Sequence, residues 1–257
     1  MSDLGADAPA TVKRLLGCDD SSCLMVTNPG GAAPVLLIGD HAGRAIPKAL
    51  GDLGLPPGAI DLHIAWDIGV SGLGRRLAAR LDAAFIEQTY SRLVIDCNRK
   101  PGAKDCAPAV SDGVPVPGNA NLSDDALALR RAEIYAPYQD AIAQALAARA
   151  AAPPLLVSLH SFTPRMFGFD RPWRVGVLHA GDSPASHRML ALLQAELGDL
   201  AGDNQPYAMD GTDNTVPLHA PWARDYLELE VRQDLIADDA GQDAMADMLA
   251  RLLAALV

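Results

Sequence analysis

The sequence is short of lysine. Lys13, Lys48, Lys100 and Lys104 are all that 257 residues contain, and the formal net charge is −11. A nucleic-acid partner needs a basic face, and here such a stripe would have to be built from arginine alone. Nucleic acid is therefore not expected as a partner, and the acidity is read as solubility. Aromatic residues are scarce at 5%, while 49% of the chain is apolar, so the core is expected to be mainly leucine, valine, isoleucine and alanine. Four cysteines (Cys18, Cys23, Cys97 and Cys106) are too few for a disulfide framework, and no second pair joins Cys18 and Cys23 at zinc-finger spacing. No run approaches the roughly 18 apolar residues of a membrane span. Met1 to Ala10 lacks the basic and then apolar order of a signal peptide. The expectation is a cytoplasmic protein with reduced cysteines and no membrane partner.

Three catalytic signatures are missing as well. There is no P-loop, no Gly-rich dinucleotide fingerprint and no Gly-x-Ser-x-Gly elbow. What is present is an alternation of short apolar runs with amphipathic stretches. Val35–Ile38, Ala84–Ile86, Arg92–Cys97, Leu155–His160, Arg174–Leu178 and Tyr226–Val231 read as strands. A helix is expected from about Ala59 through Leu81, with others over 123–146 (kinked at Pro137), 186–197 and 244–257. A short helix is expected near Lys48–Leu53, and a long loop over 101–122. The pattern predicts an α/β fold, a three-layer sandwich with a mostly parallel central sheet. One domain over 1–257 is expected, with 1–34 as a peripheral arm or added edge strand.

Two strands end in histidine: Val35-Leu36-Leu37-Ile38-Gly39-Asp40-His41 and Leu155-Leu156-Val157-Ser158-Leu159-His160. Ligands in open α/β sheets bind outside the carboxyl ends of strands, so His41 and His160 are read as two halves of one metal site. Two ordinary strand-end histidines are the alternative. His63 and Asp67 share one face of the expected helix, and either suits a third ligand. Asn98 and Arg99 close an apolar run and can grip a carboxylate, with Arg92 as a second cation. Glu230 lies in an expected buried strand, where a carboxylate is costly unless paired or functional, and it fits a general base. A Glu230–Arg232 or Asp234–Arg232 salt bridge is the structural alternative.

The chain resembles the N-formylglutamate amidohydrolases. The matching stretches are Asp40-His41-Ala42-Gly43 with Ile46-Pro47, His63-Ile64-Ala65-Trp66-Asp67-Ile68-Gly69 and Ser91 through Arg99. They continue with Leu159 through Pro164, Asn204-Gln205-Pro206-Tyr207, His219 and Glu230 through Ile236. The resemblance spans roughly residues 35–250, and the family is similar in turn to zinc carboxypeptidases and aspartoacylase-like deacylases, with a zinc-carboxypeptidase-like, phosphorylase/hydrolase-like fold. It implies a zinc-dependent amidohydrolase acting on a small N-formyl or N-acyl amino acid. It also implies one Zn2+ per chain, other divalent metals being possible. His41 and His160 are implied as ligands, Asn98 and Arg99 as the carboxylate grip, Glu230 as base, Arg92 on the scissile carbonyl and His219 at the substrate. Arg44 stands where the carboxypeptidase relatives carry a ligand glutamate, so the third ligand comes from elsewhere. Asp67 is preferred over His63, with Asp40 a further candidate. A deacylase for another N-acyl amino acid and a non-catalytic carboxylate-binding protein are the competing readings, and a monomer or small homo-oligomer is expected.

Overall fold

The computed structural model describes residues 14–257; the reading of Met1 to Ala10 and the first part of the expected arm lie outside them. Strands β1 (Leu24–Thr27), β2 (Val35–Gly39) and β3 (Ala84–Gln88) come first. β4 (Val110–Ser111) and β5 (Val114–Pro115) form a small hairpin. β6 (Leu155–Phe162) precedes a second hairpin of β7 (Arg165–Met166) and β8 (Phe169–Asp170). β9 (Val175–Leu178), β10 (Ala201–Asp203) and β11 (Asp225–Arg232) complete the strands. The helices are α1 (Val70–Leu81), α2 (Asp124–Arg130), α3 (Ala136–Ala147), α4 (Pro184–Leu197), α5 (Thr215–His219) and α6 (Asp239–Ala254).

Seven strands form one sheet in the order β1-β3-β2-β6-β11-β9-β10. β3, β2, β6 and β11 run parallel, as do β9 and β10. β1 joins β3 antiparallel as the added edge strand, and β9 joins β11 antiparallel. The sheet is mostly parallel, as expected. On one face Leu73 and Leu77 of α1, Met189 and Leu193 of α4, and Leu249 and Leu253 of α6 cover Val35, Leu37, Val157, Leu159, Leu227 and Leu229. On the other, Tyr138, Ile142 and Leu146 of α3 join Leu93, Val94 and Ile95 over Leu36, Ile38, Leu156 and Tyr226. Each buried leucine or isoleucine contributes about 1.5–3 kcal/mol. Successive residues point to opposite faces. The face under α3 therefore reads Leu156, Ser158, His160 along β6 and Tyr226, Glu228, Glu230 along β11. It changes from apolar to polar toward the carboxyl ends. Ser158 pairs in register with Glu228, and His160 with Glu230.

Two expected elements are corrected. The helix read from Ala59 begins only at Val70, so His63 and Asp67 do not share a helical face. Gly69, at φ +87°, breaks the periodicity, and the Asp67 N–H donates to the His41 carbonyl at 2.9 Å instead of entering a helix. The run Arg92–Cys97 is not a strand. Its backbone is satisfied by turns: Arg92 N–H donates to Ala65 O, and Val94 N–H to Ser91 O. The Arg130 guanidinium and the Asn119 amide donate to the Val94 and Leu93 carbonyls. Leu93, Val94 and Ile95 are thus an apolar plug in the layer over the sheet, which a short hydrophobic run encodes as well as a strand. The helix near Lys48 is a single 3-10 turn, Lys48–Leu50. Between α2 and α3, Arg131–Tyr135 forms a π-helical segment just ahead of Pro137, the widened turn that a helical proline requires.

Candidate active site

β2, β6 and β11 end side by side, and their ends carry the site. His41 lies just beyond β2, His160 near the end of β6 and Glu230 near the end of β11. Asp67 reaches them from the turn before α1. That turn is pinned by Gly69, where a Cβ would collide with the Ile236 carbonyl beyond β11.

His160 Nδ1 stands 3.0 Å from Asp67 Oδ2, and His41 Nδ1 stands 3.6 Å from the same oxygen. The two rings meet edge to face, with centroids 5.0 Å apart. One donor atom each from His41, Asp67 and His160 lies within 4.8 Å of the others. His41 Nδ1 is buried without a hydrogen-bond partner among the described residues. The outer nitrogens are held from behind: His41 Nε2 is 2.7 Å from Asp96 Oδ1, and His160 Nε2 is 3.0 Å from Ser158 Oγ and 3.5 Å from Asp40 Oδ2. Thr215 Oγ1 in turn donates to Asp40 Oδ1 at 2.6 Å. Carboxylates behind the rings leave both Nδ1 atoms facing inward, the arrangement that orients histidine as a metal ligand. Two imidazoles and a carboxylate suit Zn2+ and also Mn, Co, Ni or Fe.

The cluster opens into a cavity of about 310 Å3, which Arg92, Arg99, Tyr207, Asp213, Glu228 and Glu230 also line. Burial pushes Glu228 and Glu230 up to about 8, and neighbouring carboxylates add to the effect. Burial opposes ionisation of Asp67 too, but His41 and His160 outweigh it and hold this carboxyl below its ordinary range. Asp96 is held well below by Arg92 and His41, again against burial. The imidazoles move the other way. Burial disfavours their charge, yet Asp96 and Asp67 raise His41, and Asp40 and Asp67 raise His160 further.

The sequence profile of the N-formylglutamate amidohydrolase family matches residues 33–237. The chain belongs to that family. It is a hydrolase of amide bonds. The structure is similar to that of a gene product from Agrobacterium tumefaciens, 33% identical, covering 95% of this chain and 98% of that chain, with a TM-score of 0.90. It is also similar to an N-formylglutamate amidohydrolase from Ralstonia eutropha JMP134, 18% identical, covering 90% of this chain and 96% of that chain, with a TM-score of 0.66, a likeness of fold. No curated protein sequence matches the chain.

The structure brings together most of the residues that the family resemblance singled out. His41, Asp67, His160, Arg92, Asn98, Arg99 and Glu230 all line the cavity. His63 lies at its rim, 3.1 Å from Asp112 and outside the His41, Asp67 and His160 group. Asp40 sits behind His160. Arg232 pairs with Asp234, and Glu230 Oε2 is left buried and unpartnered among the described residues. His219 is a correction: it does not line the cavity. Its Nε2 lies 2.7 Å from Gln139 Oε1, whose amide nitrogen donates to Cys97 O and Thr215 Oγ1. A histidine ahead of the last motif is there to pack α3 against α5. The grip pair is also engaged within the chain. Asn98 Oδ1 accepts from the Asn214 and Thr215 N–H groups at the start of α5, and its amide nitrogen donates to Asp213 at 3.3 Å. Arg99 donates through Nε to Asp105 and stands 3.6 Å from Asp213.

Sequence reasoning passed over Glu228, Asp213 and Tyr207 as site residues. Glu228 was findable, because strand alternation puts it on the same face as Glu230. Asp213 comes from the loop between β10 and α5 and carries no local signal. Tyr207 is held over the cavity by Arg171, which donates to its hydroxyl at 3.1 Å and lies 4.9 Å from its ring centre.

Proposed function

We propose that the protein is a metal-dependent amidohydrolase that cleaves the amide of an N-formyl or N-acyl amino acid, with water as nucleophile. The observation that carries this reading is the convergence of His41 Nδ1, His160 Nδ1 and Asp67 in the buried lining of the cavity, with the first nitrogen unpartnered among the described residues. His41, Asp67 and His160 would hold the ion, one per chain, and the set favours zinc with a position left open. A divalent cation there supplies Lewis-acid polarisation of the amide carbonyl and of water.

The chain's own residues do the rest. Glu230 takes the proton of the attacking water and delivers it to the leaving nitrogen. Arg92 is fixed by Asp96 Oδ2 through Nε and Nη2, at 3.0 and 2.7 Å, and stabilises the negative charge that develops on the carbonyl oxygen. Arg99 Nη2 has no partner among the described residues, and it orients the substrate carboxylate. Asp96 and Asp40 keep both imidazoles turned inward. The four free thiols support a reducing, cytoplasmic setting.

The test is metal content and turnover together. The purified protein should carry about one zinc per chain, and His160→Ala should lose it. N-formyl amino acids, N-formylglutamate among them, are the first substrates. If the protein takes up no metal when zinc is supplied, the reading fails.

A further inference from the structure

The catalytic cavity is rich in acid. Five carboxylic acids line it against two guanidiniums, and both guanidiniums are already paired. Arg92 meets Asp96 and Asp67; Arg99 meets Asp105 and Asp213. The donors expected to seize a substrate carboxylate, Asn98 and Arg99, close on Asp213 of the chain itself. Next along the wall, Glu228 is 2% exposed, and its Oε2 has no hydrogen-bond partner among the described residues although the residue lines the cavity. A buried oxygen of that kind lacks a donor that its surroundings do not supply. Because Glu228 lines the cavity, a donor bound there can stand beside this side chain.

We infer that Glu228 and Asp213 form a specificity wall for a substrate side chain that ends in an ammonium or guanidinium group, and against the second carboxylate of an N-formylglutamate. The inference rests on the hydrolase reading above and narrows it to N-acyl derivatives of basic amino acids. Remaining contact with the α-carboxylate falls to Arg99 Nη2. The side chain reaches past the reacting amide to Glu228, which accepts from its cationic end. A glutamate side chain in the same place would set carboxylate against two carboxyl groups in a buried pocket, which is strongly disfavoured.

The experiment compares kcat/KM of the zinc-loaded enzyme for Nα-formyl-L-lysine, Nα-formyl-L-arginine, N-formyl-L-norleucine and N-formyl-L-glutamate. The basic substrates should exceed the glutamate derivative by about tenfold or more, and Glu228→Gln should cut the lysine-to-norleucine ratio by about tenfold. Asp213→Asn, on the same wall, should move that ratio in the same direction and serves if Glu228→Gln does not fold. A preference for N-formyl-L-glutamate, or a ratio untouched in both variants, overturns the inference. Calorimetric binding of free L-lysine, L-norleucine and L-glutamate separates it from the hydrolase reading. If no N-formyl amino acid is cleaved but L-lysine binds best and loses that advantage in Glu228→Gln, the proposed substrate reading is wrong and the wall stands. Equal binding of the three removes the wall.

Discussion

Asp67 and Glu230 are both buried carboxyl groups in one cavity, and they are held in opposite states. Asp67 has two imidazoles, the Ser161 N–H and Arg92 around it, and stays ionised. Glu230 Oε2 has no hydrogen-bond partner among the described residues, and burial pushes the group up to about 8. A group poised near neutrality is what proton transfer asks for, whereas a permanently ionised one suits a ligand. Glu230→Gln should lower kcat by about a thousandfold, within the range of a lost general base, while metal analysis shows the ion still bound. Activity retained in that variant would remove Glu230 from the chemistry. Asp96→Asn should weaken metal binding by about 10–100-fold, as loss of a carboxylate behind a ligand histidine does. Competition with a chelator of known affinity measures it, and an unchanged affinity would mean that Asp96 serves only Arg92.

At the scale of elements, Asn98 does for α5 what a capping side chain does for longer helices. Its oxygen accepts two backbone N–H groups, and both donors lie in the interior. Asn98→Ala should destabilise the fold by about 2–4 kcal/mol, because two buried donors are orphaned at once; urea unfolding reads this directly. A loss under half a kcal/mol would show that water replaces the amide. The segment before Asn98 also marks the limit of what the sequence discloses. β2, β6 and β11 were legible, the first two as short apolar runs with polar ends and the third by its alternation of apolar and acidic residues. Leu93-Val94-Ile95 is just as apolar and β-branched, yet it plugs the layer above the sheet. Local pattern reports burial; whether a ladder partner exists is settled by distant residues such as Arg130 and Asn119. His63 and Asp67 looked like one helical face for the same reason, and a single glycine with positive φ separated them. The histidine pair and Glu230 were legible because strand ends fix direction. Asp213 was not, because only the path of a loop brings it to Arg99.

For the whole molecule, charge at the site couples metal, protons and stability. In the metal-free protein His41 and His160 are raised above their ordinary value of 6.5, and Glu228 and Glu230 above 4.5. Groups raised on folding contribute stability that is complete below their unfolded values and is lost as pH climbs through their folded ones. The depressed Asp40, Asp67 and Asp96 act oppositely, and their contribution is lost only as pH falls below about 4. The metal-free protein should therefore be more stable near pH 6 than near pH 9. Metal binding needs the same nitrogens without protons, so the rise in Tm on adding zinc should grow over that interval. Thermal scans at fixed zinc excess check both trends, and a zinc increment that shrinks with rising pH would contradict the ligand assignment.

The strand order has a consequence for how the molecule comes to be. β6 is seated between β2 and β11, so the sheet closes only when the chain beyond Gly39 has looped out and returned at Leu155. His41 and His160 lie on opposite sides of that closure. No early, half-assembled species can present both, and an ion has nothing to bind until the central strand is in register. Long-range pairing of this kind sets a slow refolding step. Zinc should leave the refolding rate as it is and slow unfolding instead, the signature of a contact made after the barrier.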